Sequence, residues 1–495
     1  MQRTTIVAIL LAASCVLCSA SVSTNVPLAH WSYDAIDKLI GCGLIDSDMM
    51  TTRPVSRIEM ARHIAEAIEN SESGLAGHQT NRIMSAILER LKNEFAAELA
   101  GLGATDGGSI KSFIKPIEDP YLRFLYAEKQ PDLENQRGDT FNANSNYRVG
   151  FASRMKFFDK VAFYFHPEYG NWPLDPDRDI ELIEGYGKVA LWKLEVQAGK
   201  DSLWWGPGRH GSMLMTNNIQ PLKMVKISNP QPIQLPWILR GLGPFKAAWF
   251  LGELEKDRPV PNAKLSGLRL NFKPRPDLEF GLSRTMIFNG SGRPSVGVID
   301  YIDMWIPQRE EAENNQLAGF DVSFLVPLGS WAPARSVRLY ADMAGEDEAG
   351  LLPCKWGRLY GLQISDIFKT GRTDLRVEYA NNHHPDAPNV FYTHALYPYT
   401  YQGRVIGHHM GTDASDLFLQ LSHYLTKDLI LDLKCDIQIE GLSSITRETT
   451  DQFGFDVTYF ASKDWQLKTG YRYEHAENHT TQDNHIFQFW LTREF

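Results

Sequence analysis

The stretch Leu429–Ile439 reads LILDLKCDIQI, and apolar and polar side chains alternate along it. Its odd positions hold the apolar set Leu429, Leu431, Leu433, Cys435, Ile437 and Ile439. Because successive side chains of a β-strand point to opposite faces, this period of two predicts a strand with one apolar and one polar face. About ten residues is also the length that a tilted strand needs to cross a bilayer.

The same alternation recurs from about residue 113 to the end of the chain. Clear examples are Leu268–Phe272, Leu278–Leu282, Leu375–Tyr379 and Trp465–Tyr473. Roughly 17 candidate strands can be counted, and antiparallel closure of a bacterial barrel favours an even number. Residues 113–495 are therefore predicted to form a transmembrane antiparallel β-barrel of about 18 strands, which makes the lipid of an outer membrane a partner.

A soluble sandwich or barrel also alternates apolar and polar residues, and the last strand helps to choose between the two. His485–Phe495 places Phe487, Phe489, Leu491 and Phe495 on one face. A strand that ends on an aromatic residue resembles the terminal assembly signal of outer-membrane barrels. The many charges on the polar strand faces suit a wet lumen, and both features favour the membrane barrel.

The N-terminus and the composition narrow the class of protein further. Residues 1–20 combine Arg3, the apolar run Ile6–Val16 and the small residues Cys18-Ser19-Ala20, as a secretory signal peptide does. The chain of 495 residues has a formal net charge of −10 and a mean hydropathy of −0.30. Past residue 20 it contains no apolar run long enough for a membrane helix. An acidic chain without a basic block is a poor binder of nucleic acid.

Residues 21–112 have helical rather than strand periodicity. Residues 71–112 hold an amphipathic helix, predicted from about Thr80 to Leu99, and a glycine-rich linker. Residues 21–70 resemble a single S-layer homology (SLH) module, on the matches His30-Trp31, Gly43-Leu44-Ile45 and Arg53–Ala61. The resemblance implies that this module, in the periplasm, contacts cell-wall polymer through Trp31, Arg57 and Glu59. The alternative for Arg57 and Glu59 is a structural helix cap and ion pair.

The barrel region resembles the Wzi family of capsule-assembly outer-membrane proteins. Two stretches carry the likeness: Gly199–Arg209 (GKDSLWWGPGR) followed by Thr216–Ile219, and Tyr401–Asp413 (YQGRVIGHHMGTD). The resemblance implies an 18-stranded barrel that retains capsular or other surface polysaccharide at the cell surface, without catalysis. An SLH-anchored porin and a structural tether between outer membrane and wall are the alternatives.

A carbohydrate site needs apolar ring faces beside fixed polar groups, and both stretches supply such residues. Arg209 is suited to an acidic sugar. The predicted polysaccharide-binding residues are Trp204, Trp205, Arg209, Asn217, Asn218, Tyr401, Arg404, His408 and Asp413. The alternative for Trp204 and Trp205 is an interfacial aromatic girdle, or a loop that folds back into the lumen.

Metal, cofactor and enzyme signals are weak. Five histidines lie in one long loop with Asp386 and Asp413, but they do not have the spacing of a known metal motif. No nucleophile elbow, dinucleotide fingerprint or P-loop occurs, although a glycosidase carboxylate pair is not excluded by counting. The sequence therefore predicts neither a metal site, a cofactor nor a catalytic residue.

Overall fold

The computed structural model describes residues 21–73, 81–105, 111–172, 179–305, 313–349, 352–478 and 480–494. The predicted signal peptide, residues 1–20, lies outside them. Among the described residues, no helix has the length and apolar character needed to span a membrane.

Strands account for most of the described chain, and neighbouring strands pair antiparallel all the way round a closed barrel. The wall strands are β1 (Phe113–Ala127), β2 (Asn144–Phe157), β3 (Val161–Gly170), β4 (Ile180–Leu191), β5 (Leu194–Asp201), β6 (Leu222–Ser228), β7 (Pro244–Glu253), β8 (Lys264–Arg275), β9 (Leu278–Phe288), β10 (Asn314–Pro327), β11 (Ser336–Ala349), β12 (Leu352–Ile367), β13 (Thr373–Asn381), β14 (Ser415–Tyr424), β15 (Leu429–Glu440), β16 (Glu448–Phe460), β17 (Trp465–Asn478) and β18 (Thr480–Arg493). The barrel closes where β1 pairs with β18, from Tyr121 opposite Thr492 to Ala127 opposite Ile486.

Strand β6 is interrupted, and Ile233–Gln234 continues it along the same neighbour, β7. Pro230 within the interruption has no N–H to donate to the ladder. The side chain of Asn229 bridges part of the gap, because its Nδ2 donates to the Phe245 carbonyl at 2.9 Å and its Oδ1 accepts from Ala247 N at 2.6 Å. With the two pieces taken as one, the described residues form an 18-stranded barrel, which confirms the predicted fold class.

The alternation in LILDLKCDIQI separates the two faces of the barrel wall as predicted. Leu433 is 46% exposed on the outer face, opposite Leu421 and Phe455 of the adjacent strands. Lys434 points inward, and its Nζ lies 2.6 Å from Asp456. Other exposed apolar side chains of the wall include Val149, Leu182, Leu282, Phe453 and Phe487. An apolar exterior around a charged interior is the pattern of a transmembrane barrel.

The N-terminal residues form a compact group of helices: α1 (Ser32–Gly41), α2 (Arg57–Ser73), α3 (Arg82–Glu94) and α4 (Ala96–Gly101). Their apolar stripes meet in one core, where Leu39, Ile64 and Leu91 are fully buried. The periodicity predicted one helix from about Thr80 to Leu99, but the structure divides it at Phe95. Arg57 explains the division, because its Nη2 donates a hydrogen bond to the Glu94 carbonyl at 2.6 Å.

These helices lie inside the barrel as a plug, which we define as residues 21–105. Ion pairs join the plug to the wall, with Lys38 2.7 Å from Asp374 and Lys273 2.7 Å from Asp48. Val22 N also donates to the carbonyl of Asp159, in a short turn at one end of the barrel. The plug therefore fills the half of the lumen that adjoins the short turns.

Candidate functional site

The loop that carries the two tryptophans, residues 202–221, turns into the lumen and pairs with the plug. Trp204 and Trp205 lie opposite Arg53 and Thr52 in a two-stranded antiparallel sheet. Gly206 follows at φ 138°, and a Cβ there would come within 2.7 Å of the side chains of Ser212 and Asp342. Glycine is therefore required for the turn that brings this loop against the wall.

Both indole rings face protein rather than solvent. Trp204 is 4% exposed and lies beneath the guanidinium of Arg53, and Trp205 is 2% exposed and packs edge-on against Phe250. This placement agrees with the alternative reading, in which the loop folds back into the lumen. A role of these rings in sugar stacking remains a prediction.

Arg209 lies deep in the lumen and contacts the plug. Its Nη2 is 2.9 Å from Asp34 and its Nε is 3.1 Å from Asp37. Asp37 also pairs with Arg338 at 3.2 Å and Arg376 at 3.0 Å. Burial alone would raise the pKa of Asp37, but the arginines bring that pKa well below its ordinary value. The carboxylate thus joins the plug, the loop and the barrel wall.

The second stretch, Tyr401–Asp413, lies directly against the first. A tight hairpin pairs Tyr401 with Arg404, and its turn residue Gly403 has φ 78°. The backbone N of Thr216 donates to Ile406 O at 3.0 Å, and Asn218 Nδ2 donates to Val405 O at 3.1 Å. Two segments almost 190 residues apart in sequence therefore form one unit.

Most of the predicted polysaccharide-binding residues are buried in this unit. Tyr401, Asn217, Asn218, His408 and Asp413 are all at most 8% exposed. Asp413 accepts from Ser443 N at 2.8 Å and lies 2.7 Å from His383 Nδ1, so it braces the neighbouring loop. Burial, with the nearby His409, lowers the pKa of His408 well below its ordinary value. These contacts give the residues structural roles, and their contact with a ligand remains a prediction.

Arg404 is the member of the predicted set that reaches the outer surface. Its side chain is 18% exposed, and its Nη2 lies 2.7 Å from Asp132, whose side chain is 88% exposed. Asp132 belongs to the long loop 128–143, which also bends inward. Glu134 of that loop pairs with Arg472 at 2.8 Å. Burial alone would raise the pKa of Glu134, but the arginine lowers this pKa to about 2. Below this loop remains a cavity of about 200 Å³ lined by Glu134, Arg209, His210, Lys434 and Arg472, among others.

Comparison with known proteins agrees with this architecture. The sequence model of the family described as "Capsule assembly protein Wzi" matches residues 126–486. The chain belongs to the Wzi capsule assembly family. An uncharacterized 55.8 kDa protein of the cps region of Klebsiella pneumoniae is 33% identical over 177 residues. That match covers 34% of this chain and 34% of the Klebsiella protein, about a third of each.

A solved structure shares the whole fold. Wzi from Escherichia coli, described as an outer-membrane protein involved in group 1 capsule assembly and as a carbohydrate-binding β-barrel, superposes with a TM-score of 0.73. The superposition covers 96% of this chain and all of the E. coli chain, at 21% sequence identity. It shows that the two chains have the same fold. The family resemblance seen in the sequence is confirmed by the family model over residues 126–486.

The residues predicted to bind cell wall lie within this Wzi-family plug or against the barrel. Arg57 is buried between Glu94 at 2.6 Å and Glu98 at 2.8 Å. Glu59 is fully buried, and its carboxylate lies 2.9 Å from Arg62 Nη2. The backbone N–H of Glu59 donates to Ser56 Oγ at 3.3 Å, which caps the helix. This geometry agrees with the alternative of a helix cap and ion pair.

Trp31 packs edge-on against Phe460 of the barrel wall. The ring therefore takes part in the contact between the plug and strand β16. Wall binding by Trp31, Arg57 and Glu59 remains a prediction.

Sequence reasoning missed the groups to which the Wzi-family motifs attach. Glu378 accepts from the backbone N–H groups of Arg209 and His210 at 2.8 and 3.0 Å. His210 in turn meets His409 from the second motif. Glu378 lies on an ordinary alternating strand and His210 next to an arginine, so neither position has a sequence signal that indicates its partner.

Proposed function

We propose that this Wzi-family protein binds capsular or other surface polysaccharide and retains it at the outer face of the outer membrane. One observation carries the proposal. The two family stretches join into a single unit that closes the outer half of the lumen and presents the Arg404–Asp132 pair to solvent. Binding at this surface leaves the polymer outside the barrel, as retention at the cell surface requires.

The Arg404–Asp132 pair suits an acidic sugar. A guanidinium binds a carboxylate through two parallel hydrogen bonds, and a uronate offers the same group as Asp132. An ion pair with so exposed a partner contributes only about 0–1 kcal/mol, so a sugar carboxylate can replace Asp132 at little cost. Asn218 Oδ1, 3.4 Å from Arg404 Nη1, helps to hold the guanidinium in place.

The filled lumen supports binding rather than diffusion. The plug occupies the periplasmic half, and loops 128–143, 202–221 and 382–414 fold into the outer half. Single-channel recordings in planar bilayers separate the two functions, and the binding proposal predicts no stable open conductance. A steady porin-like conductance of the wild-type protein would contradict it.

Two carboxylates of the outer loop 128–143 are held by arginines. Asp132 is paired with Arg404, and Glu134 with Arg472. Because Arg472 lowers the pKa of Glu134, this carboxyl group is unsuited to the general-acid role of a glycosidase. We therefore propose retention of the polymer without cleavage.

The test compares two arginines of outer loops in cells that make an acidic surface polysaccharide. Arg404→Ala is expected to release polymer into the medium while the amount of folded barrel, measured by heat-modifiable gel mobility, stays normal. Arg293→Ala is the matched control, because Arg293 also pairs with an acidic loop residue, Glu313, at 2.8 Å. Equal retention by both variants would place the ligand elsewhere.

Export and orientation complete the proposal. Residues 1–20 direct secretion, the barrel lies in the outer membrane, and the plug faces the periplasm. The position of the plug beside the short turns supports this orientation. Contact of the plug with cell-wall polymer is tested by sedimentation of the full-length protein with purified cell wall.

A further inference from the structure

Four potential metal ligands converge just below the joined motifs. His210 comes from loop 202–221, His409 from loop 382–414, Asp416 from β14 and Asp436 from β15. One ligand atom from each lies within 4.8 Å of every other. His210 Nε2 is 3.1 Å from Asp436 Oδ2 and 3.6 Å from Asp416 Oδ2. His409 Nε2 is 2.9 Å from Asp416 Oδ2.

The group is buried, and several of its polar atoms are not hydrogen-bonded. The four side chains are 2–9% exposed. Neither ring nitrogen of His409 makes a hydrogen bond of acceptable geometry, and the same holds for Asp416 Oδ2 and Asp436 Oδ1. A buried polar atom without a hydrogen-bond partner destabilises the folded state. Such a set of converging, unsatisfied donors and acceptors needs a further partner.

We propose that His210, His409, Asp416 and Asp436 bind one divalent transition-metal ion of the Zn²⁺ class. Imidazole nitrogen and carboxylate oxygen are both zinc ligands, with bonds of about 2.0–2.2 Å. Tetrahedral coordination at those lengths separates neighbouring ligand atoms by about 3.3–3.6 Å. The separations of 2.9 and 3.1 Å are a little shorter than this range, and the separation of 3.6 Å lies at its upper end. Two aspartates also neutralise the charge of the ion.

The surroundings hold the ligands in place. The His210 ring stacks on Phe418, with centroids 3.9 Å apart and planes inclined by 5°. Glu378 fixes the backbone on the N-terminal side of that ring. Outer contacts of this kind orient metal ligands and raise affinity. The cavity of about 200 Å³ is lined by both His210 and Asp436, so an ion reaches the site from the lumen.

The ion would fasten two loops to the wall. His210 directly follows the first family stretch and His409 belongs to the second, whereas both aspartates belong to adjacent barrel strands. The site therefore lies beneath the unit that presents Arg404. The inference rests on these contacts and is independent of polysaccharide binding.

The experiment uses the full-length barrel in detergent, stripped with a chelator and then titrated with Zn²⁺ or Co²⁺ alone. The wild-type protein is expected to bind one equivalent of Zn²⁺, to melt at a higher temperature with Zn²⁺ than with Mg²⁺, and to give the ligand-field absorption of tetrahedral Co²⁺. His409→Ala and Asp416→Asn are expected to weaken binding by at least about tenfold, since even outer contacts contribute that much. His394→Ala, in the same loop but outside the cluster, should bind as the wild type does.

Two results would overturn the proposal. One is a folded wild-type barrel that takes up no stoichiometric Zn²⁺ and gains no thermal stability from it. The other is unchanged affinity in the folded double variant His409→Ala/Asp416→Asn. The wild-type measurements do not depend on the variants, so a variant that fails to fold leaves the first criterion in force.

Discussion

The Nε of Arg209 lies 3.1 Å from Asp37 Oδ2, so a loop of the barrel is ion-paired with the helical plug inside it. Arg209 belongs to the stretch that resembles the family, and its charge was predicted to meet an acidic sugar. In the structure it meets a carboxylate of the same chain. The arginine thus couples the position of the outer loop to that of the plug.

Loss of the Asp37 carboxylate should loosen the plug. Asp37→Asn leaves Arg209, Arg338 and Arg376 facing one another without their shared anion, which should cost about 3–5 kcal/mol. Thermal unfolding followed by circular dichroism, with protease sensitivity of the plug, measures the effect. Asp34→Asn is the control, because Asp34 is 83% exposed and its pair with Arg209 contributes about 0–1 kcal/mol. Equal destabilisation by both changes would refute the central role of Asp37.

Loss of the buried Trp205 ring should impair folding of the barrel before it affects polymer binding. Trp205→Ala removes a ring that is 2% exposed and packed against Phe250, and such a cavity costs about 3–5 kcal/mol. We expect less folded barrel by heat-modifiable mobility. Trp192→Ala, at a position that is 78% exposed, should change the stability in detergent by no more than about 0.5 kcal/mol. Normal folding of Trp205→Ala with selective loss of polymer would instead favour a ligand role.

The two faces of β15 should respond differently to the same new charge. Leu433→Lys places an ammonium group in lipid, at a cost of about 2–4 kcal/mol near the bilayer midplane. Gln438→Lys puts it on the lumen face, where Glu440 lies within reach of residue 438. Only the first change should reduce assembly into liposomes. Equal tolerance of both would contradict the assignment of the faces.

Acid should destabilise the plug through His30. Burial lowers the pKa of this imidazole from 6.5 to about 4, so the unfolded chain binds more protons than the folded one between these values. The stabilisation is complete above pH 6.5 and is lost as the pH falls towards 4, by about 3 kcal/mol. His30→Gln should flatten the dependence of melting temperature on pH over this range. A wild-type protein equally stable at pH 7 and pH 4.5 would contradict the expectation.

Arg57 distinguishes the two readings of the SLH-like segment. Its ion pairs with Glu94 and Glu98 predict that Arg57→Ala lowers the melting temperature. Wall binding through Arg57 predicts instead that full-length Arg57→Ala keeps its melting temperature but no longer sediments with purified cell wall. Arg82→Ala, which changes an exposed arginine of α3, is the control in both measurements.

Alternation along each strand, together with the aromatic last strand and the charged polar faces, was sufficient to predict the barrel. Side chains such as Leu433 and Lys434 point to opposite faces wherever the chain is extended, so their solvent preferences can be read from neighbours in sequence. Helical stripes in residues 21–105 were recognisable for the same reason. The break at Phe95 was missed, because its cause is Arg57, which lies far from it in sequence.

The location of the helices and the contacts of the motif residues depended on the tertiary structure. Residue type shows that Arg209 needs an anion and that Trp205 favours an apolar contact, but it does not distinguish a sugar from a partner within the chain. Those partners, Asp37 and Phe250, come from the plug and from a distant strand. The sequence by itself therefore determined the barrel, its two faces and the family. Tertiary structure alone decided that the plug fills the lumen and which residues meet there, because such contacts arise only when loops and helices enter a closed barrel.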